Sequence, residues 1–144
     1  GLKENVIISQ QNKVNIKYID DKLAELLKTD VVVESGENAN GFYRKWKSGL
    51  LEMEGSFNRS IAISDKAGNI YSSGVESITF PFQSVTPCEV VLTVTAQGAI
   101  WGKPWDSASN YQRDFSYTVL AATAWSNASY RVTYHAFGRW KEEE

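Results

Sequence analysis

The chain has 144 residues, 42% of them apolar and 22% charged, the proportions of one folded domain with at most a short arm rather than of a disordered chain. Its 15 Lys+Arg against 17 Asp+Glu leave a net charge of -2, so the cationic excess of a nucleic-acid-binding surface is missing. Single Cys and His residues, Cys88 and His135, exclude an internal disulfide and a zinc site of the usual Cys/His kind, and no apolar run approaches the roughly 18 residues of a membrane span.

The chain opens on Gly1 and its only methionine is Met53, which reads as a piece of a longer protein or a processed form. Residues 1–30 form an arm. Val6-Ile7-Ile8 suggests a short strand, and a helix is predicted from Asn15 to Lys28, capped by Asn12 or Asn15. Ile16, Ile19, Leu23 and Leu26 fall on one stripe, which can also be written as two heptads. A helix this short needs a partner surface. It either docks on its own domain or ends an oligomerising stalk.

From Val31 the pattern is of strands and turns. Gly36 to Gly41 is turn chemistry, Phe42–Lys47 and Leu50–Phe57 form a hairpin over Ser48-Gly49, and Asp65 to Asn69 is a further turn. Val75–Phe82 alternates as far as Pro81, which ends it or lies at an edge. Strands follow at Glu89–Ala96, Gln112–Thr123 and Ser129–Trp140. In the last, Tyr130, Val132, Tyr134 and Ala136 share one face, with Arg131, Thr133, His135 and Phe137 on the other. Short strands at this spacing predict a mainly β fold, an antiparallel β-sandwich over residues 31–144 preceded by a short N-terminal α-helix.

The hairpin Tyr43-Arg44-Lys45-Trp46-Lys47-Ser48-Gly49-Leu50-Leu51-Glu52-Met53-Glu54-Gly55 resembles the one near the start of C-terminal tail-fibre and receptor-binding domains of tailed bacteriophages and prophages. There an aromatic-Arg-Lys-Trp strand meets a Ser-Gly or Asp-Gly turn, and the returning strand carries a Glu and ends in Gly. Val33-Glu34-Ser35-Gly36, Asn40-Gly41, the helix at Tyr18–Leu23, Thr79-Phe80-Pro81-Phe82 and Gly138-Arg139-Trp140-Lys141 are similar to other parts of the same domains. Glu54 stands where many relatives have Trp. The resemblance implies a homotrimeric fibre tip on a virion tail or prophage-derived particle. Such a tip acts outside the host cell beside other tail-fibre or baseplate proteins, recognises a bacterial surface and has no catalysis.

Read physically, Phe42, Arg44 and Trp46 share one face of the first hairpin strand, and Tyr43, Lys45 and Lys47 the other. Arg44 beside Trp46 and facing Glu52 or Glu54 suggests a cation–π and ion-pair cluster. Its plain reading is structural: Tyr43, Arg44, Lys45, Trp46, Gly49, Glu52 and Gly55 hold the hairpin or a subunit contact.

Catalytic signatures are weak. There is no phosphate loop, nucleophile elbow or His-Glu-x-x-His motif, and neither a cofactor nor a metal is expected. Glu52 and Glu54 share a strand face, as any two acids at that spacing do, and Asp106 with Asp114 says as little. His135 lacks a recognisable nucleophile or metal partner, Cys88 reads as a buried inert thiol, and Glu142 to Glu144 as a solvated tail.

Ala99–Arg113 reads as a long loop in which Trp101, Trp105 and Tyr111 offer flat apolar faces and Asp106, Asn110, Gln112 and Arg113 directional polar groups. That mixture suits sugar rings, though loop tryptophans also plug sandwich ends or subunit interfaces. Trp125-Ser126-Asn127-Ala128 is a second turn that can lie beside it. The expected ligand is a bacterial surface glycan, held by Trp101, Trp105, Asp106, Asn110, Tyr111, Arg113 and Trp125. A purely structural tail module and, behind it, a glycan-degrading tail enzyme are the competing readings.

Overall fold

In a computed structural model of the chain, residues 2–28 form one helix, α1 (Leu2–Lys28), where a strand and a shorter helix were expected. The structure describes residues 2–106 and 108–143, with the side chains of Leu26, Leu27 and Ala108 outside the description. No Gly or Pro interrupts positions 2–28, and each β-branched residue of Val6-Ile7-Ile8 costs a helix only a few tenths of a kcal/mol, roughly. Neither Asn12 nor Asn15 caps the start, since both lie inside the helix. Glu4 in the first turn and Lys28 in the last complement the helix dipole. The Thr29 hydroxyl donates to the Glu25 carbonyl at 3.2 Å and closes the last turn. Ile16, Ile19 and Leu23 of the apolar stripe are each more than half exposed; the side chain of Leu26, the fourth, lies outside the described residues. The helix belongs to one compact unit, Gly1–Val31, and the strands to a second, Val32–Glu144.

The second unit is built of β1 (Val32–Asn38), β2 (Gly41–Trp46), β3 (Leu50–Ile63), β4 (Asp65–Ala67), β5 (Ile70–Ser72), β6 (Glu76–Thr79), β7 (Glu89–Ala96), β8 (Ile100–Pro104), β9 (Asp114–Ala121) and β10 (Trp125–Arg139), with a 3-10 turn at Ala108–Asn110. The first sheet runs β1-β2-β3-β10-β7. In the second, β9 pairs with β5 and β6 in succession along one edge and with β8 along the other, and β4 lies outside β5. All pairings are antiparallel.

Alternation along two inner strands, one from each sheet, builds the core. Tyr130, Val132, Tyr134 and Ala136 of β10 are buried together with Phe115, Tyr117, Val119 and Ala121 of β9, and Leu51 and Met53 of β3 complete the layer. Burying each of the larger side chains contributes about 1.5–3 kcal/mol. Phe115 sits at the centre, its ring 5.3 Å from Tyr134 and 5.6 Å from Phe80.

Several boundaries differ from the sequence reading. The first turn is only residues 39–40, because Asn38 pairs with Gly41 and Gly36 lies within β1 opposite Tyr43. Asp65–Ala67 is a strand, so the turn there closes over Gly68 and Asn69. Regular pairing of β6 stops at Thr79, although the Phe80 amide still bonds the Arg113 carbonyl at 2.9 Å.

Candidate functional site

The hairpin of β2 and β3 splits its motif between two environments. On the inner side, the Tyr43 ring packs 5.3 Å from Phe82, and the Lys45 ammonium lies 3.8 Å from the centre of the same Phe82 ring. Lys45 also meets Glu34 of β1 at 2.6 Å, with its own side chain only 12% exposed. Its hydrogen bond holds the Glu34 carboxyl below the ordinary value against the opposing effect of desolvation, helped by its charge and the Tyr43 hydroxyl. The Trp46 carbonyl accepts from the Gly49 amide at 2.9 Å and from the Trp140 indole at 2.7 Å, which ties the closing strand to the hairpin. Gly49 has φ +102°, a conformation that favours glycine. At Gly55 a side chain would meet the Tyr134 ring at 2.6 Å.

On the outer side, Arg44 reaches both returning acids, Glu54 at 3.2 Å and Glu52 at 3.7 Å. The ring beneath its guanidinium is Phe42, at 4.8 Å, where Trp46 was expected. Glu54 also lies 3.4 Å from Nδ1 of His135, its cross-strand neighbour on β10. The cluster is only partly covered, so each ion pair contributes less than about 1 kcal/mol. Glu52 and Glu54 are therefore both engaged by one cation.

The aromatic stretch is not one loop. Ile100–Pro104 is the strand β8, and the Trp105 amide extends its ladder to the Ser116 carbonyl at 2.9 Å. Alternation turns Ile100, Gly102 and Pro104 inward and leaves Trp101 and Trp105 on the outer face, 41% and 56% exposed. The Lys103 ammonium lies 5.5 Å from the Trp105 ring centre on that same face. Tyr111 belongs to the core: it is 3% exposed, and its hydroxyl bonds the Asp106 amide at 3.0 Å and the Ser116 carbonyl at 3.2 Å. Tyr111 thus ties Asp106 to β9. The Asn110 amide donates to the Asp106 carboxylate at 3.0 Å, and Arg113 is exposed. Trp125 begins β10 at a bulge instead of lying in a turn. It is half-buried against the core beside Gly98, in the turn between β7 and β8.

One feature of the surface escaped the sequence reading. A groove of about 380 Å³ runs beside the β1–β2 turn, lined by Glu37, Phe42, Glu54, Thr133 and His135 among others. Period-two alternation places these residues on one sheet face, but only the register of β3 against β10 brings Glu54 to His135. Among the described residues, no three His, Cys, Asp or Glu side chains converge to hold a metal ion, and no helix is long and apolar enough to cross a membrane.

No protein-family model matches the chain, and no curated protein matches it. Solved structures do. A C-terminal piece of the P. aeruginosa R1 pyocin fibre is 18% identical with a TM-score of 0.48, matched over 75% of this chain and 29% of that one. An N-truncated R1-type pyocin tail fibre is 18% identical with a TM-score of 0.49, over 75% and 88% of the two chains. The P. aeruginosa R2 pyocin fibre gives 16% identity and a TM-score of 0.41, over 76% and 27%. The chain spans less than a third of the R1 and R2 fibre pieces of P. aeruginosa.

Proposed function

We propose that this chain is the tip domain of a phage or prophage-derived tail fibre and that it binds a bacterial surface saccharide without catalysis. The observation that carries the binding reading is the pair Trp101 and Trp105. Two large indoles share one exposed strand face of the sandwich, where burial would otherwise be the stable outcome. Four residue steps along the strand set them roughly 13 Å apart, a shelf for two sugar rings in a row, with Lys103 between them and Asp106 and Asn110 at its end. The Tyr43–Gly55 hairpin supports the fibre assignment through the resemblance of its motif.

The assembly we propose is a trimer. α1 carries Ile16, Ile19 and Leu23 more than half exposed, and a helix of this length buries such a stripe most simply against copies of itself. Three copies also raise the effective affinity of weak single sites. Light scattering during gel filtration tests it: a trimer has about three times the 16.1 kDa chain mass. If the protein is instead a purely structural tail module, Trp101→Ala and Trp105→Ala will lower that mass. On the adhesion reading they leave the mass unchanged and weaken attachment to cells or purified surface polysaccharide.

A further inference from the structure

The groove beside the β1–β2 turn lies on the outer face of the first sheet, on the other side of the sandwich from Trp101 and Trp105. Phe42 stands in its middle. Glu37 is the β1 neighbour of Phe42, and Glu54 is its β3 neighbour. The two acidic positions are thus separated by two strand spacings, roughly 10 Å, the width of one pyranose ring with its substituents. His135 flanks Glu54, and Ser56 and Thr133, their hydroxyls 2.7 Å apart, also line the groove. Arg44, the cation over the Phe42 ring, does not line the groove.

The free groups here are mainly acceptors. Glu37 has no hydrogen bond or ion pair among the described residues, whereas Glu54 is shared between Arg44 and His135. Ser56 is already engaged by Thr133 and by Arg131. Such a groove is complementary to a donor-rich, cationic ligand and repels an anionic one. It is also held in shape from beneath. The Tyr134 hydroxyl donates to the Asn40 carbonyl at 2.8 Å, the Asn38 side chain donates to the Pro81 carbonyl at 2.9 Å, and the Asn40 amide donates back to the Asn38 side chain at 2.9 Å. A turn fixed in this way loses little entropy when a ligand arrives.

We infer that this groove binds a hexosamine with a free amine, its ring against Phe42 and its ammonium at the Glu37 carboxylate. The inference rests on the reading that the domain binds surface saccharide, and it adds a subsite on the opposite face from the tryptophan shelf. The ammonium gains from the Glu37 carboxylate and from the negative charge at the groove's edge, while the sugar hydroxyls reach His135 and Thr133.

The test is a titration of the full chain, followed by NMR, with D-glucosamine, N-acetyl-D-glucosamine and D-glucuronate, below the pKa of the glucosamine amine. D-glucosamine is expected to shift the Phe42 and His135 resonances, N-acetyl-D-glucosamine to bind about tenfold more weakly, and D-glucuronate not to bind. Glu37→Gln should weaken D-glucosamine binding about fivefold with the unfolding midpoint unchanged, and Phe42→Leu should weaken it as well. Equal binding of the amine and its acetylated form, or an unaffected Glu37→Gln variant, would overturn the inference. A protein that attaches to bacteria but ignores D-glucosamine overturns the groove alone; one that does neither overturns the adhesion reading with it.

Discussion

The hydroxyls of Tyr117 and Tyr130 lie 2.8 Å apart in the interior and join the two sheets, Tyr117 from β9 and Tyr130 from β10. Arg59 donates to the Tyr117 oxygen at 3.1 Å and to the Ser77 carbonyl at 3.2 Å, so the buried pair has a third member. Tyr117→Phe removes a partner from both Tyr130 and Arg59 and is expected to cost about 2 kcal/mol, against about 1 kcal/mol for Tyr130→Phe, which leaves Arg59 paired. Urea unfolding of the two variants checks that order.

Alkali should also unfold the domain through its buried phenols. Burial, reinforced by the Tyr117 hydrogen bond, pushes the Tyr130 phenol up from its ordinary value, and burial beside Glu54 does the same to Tyr134. In the unfolded chain these phenols ionise near the ordinary value of 10.0, while in the folded chain they keep their protons. The stabilisation is therefore complete below that value and is lost as pH rises through the range above it. The expected slope is about 1.4 kcal/mol per pH unit for each tyrosine. Denaturant midpoints measured across that range test it, and Tyr134→Phe should flatten the decline.

Cys88 is 1% exposed, and burial pushes its thiol up against the opposing hydrogen bond of Ser84. Thiolate is the reactive form, so a disulfide-based thiol reagent should label the native protein very slowly and the urea-unfolded protein fully. Rapid labelling under native conditions would contradict the packing at this end of the sandwich.

Gly49 carries φ +102°, and a side chain there would run into the Arg139 guanidinium. That guanidinium donates to the Ser48 carbonyl at 3.0 Å, so Gly49→Ala strains the hairpin turn and displaces the closing strand together. A loss of about 1–3 kcal/mol is expected, read from thermal unfolding, with Gly68→Ala as a comparison at a turn where no atom lies within 4 Å of the added carbon.

The long strands were legible because one side of each is buried. The Tyr130–Ala136 alternation maps directly onto the buried face of β10, and Glu89–Ala96 has the bounds the sequence suggests. The errors have local causes. Val6-Ile7-Ile8 favours a strand on its own, but an unbroken run of helix-compatible residues on both sides outweighs that preference. Ala99–Arg113 read as one long loop. Gly102 instead lets β8 pack closely against Val94, and Pro104 ends β8, where its missing amide costs little ladder pairing. Tyr111 read as a surface aromatic because nothing local announces that its hydroxyl has partners at Asp106 and Ser116. The groove was hidden for another reason: Glu37, Phe42, Glu54 and His135 meet only through the pairing of four strands, and register over such separations is not written in any one segment.

The most direct test of the adhesion account is a binding titration of the intact protein on bacterial cells, competed with their purified surface polysaccharide, beside a Trp101→Ala/Trp105→Ala double variant. The account predicts saturable, competable binding that weakens about tenfold or more in the double variant, with its solution mass and unfolding midpoint unchanged because both indoles are exposed. Undiminished cell binding by the double variant, or binding by the parent protein that polysaccharide does not compete, would contradict it.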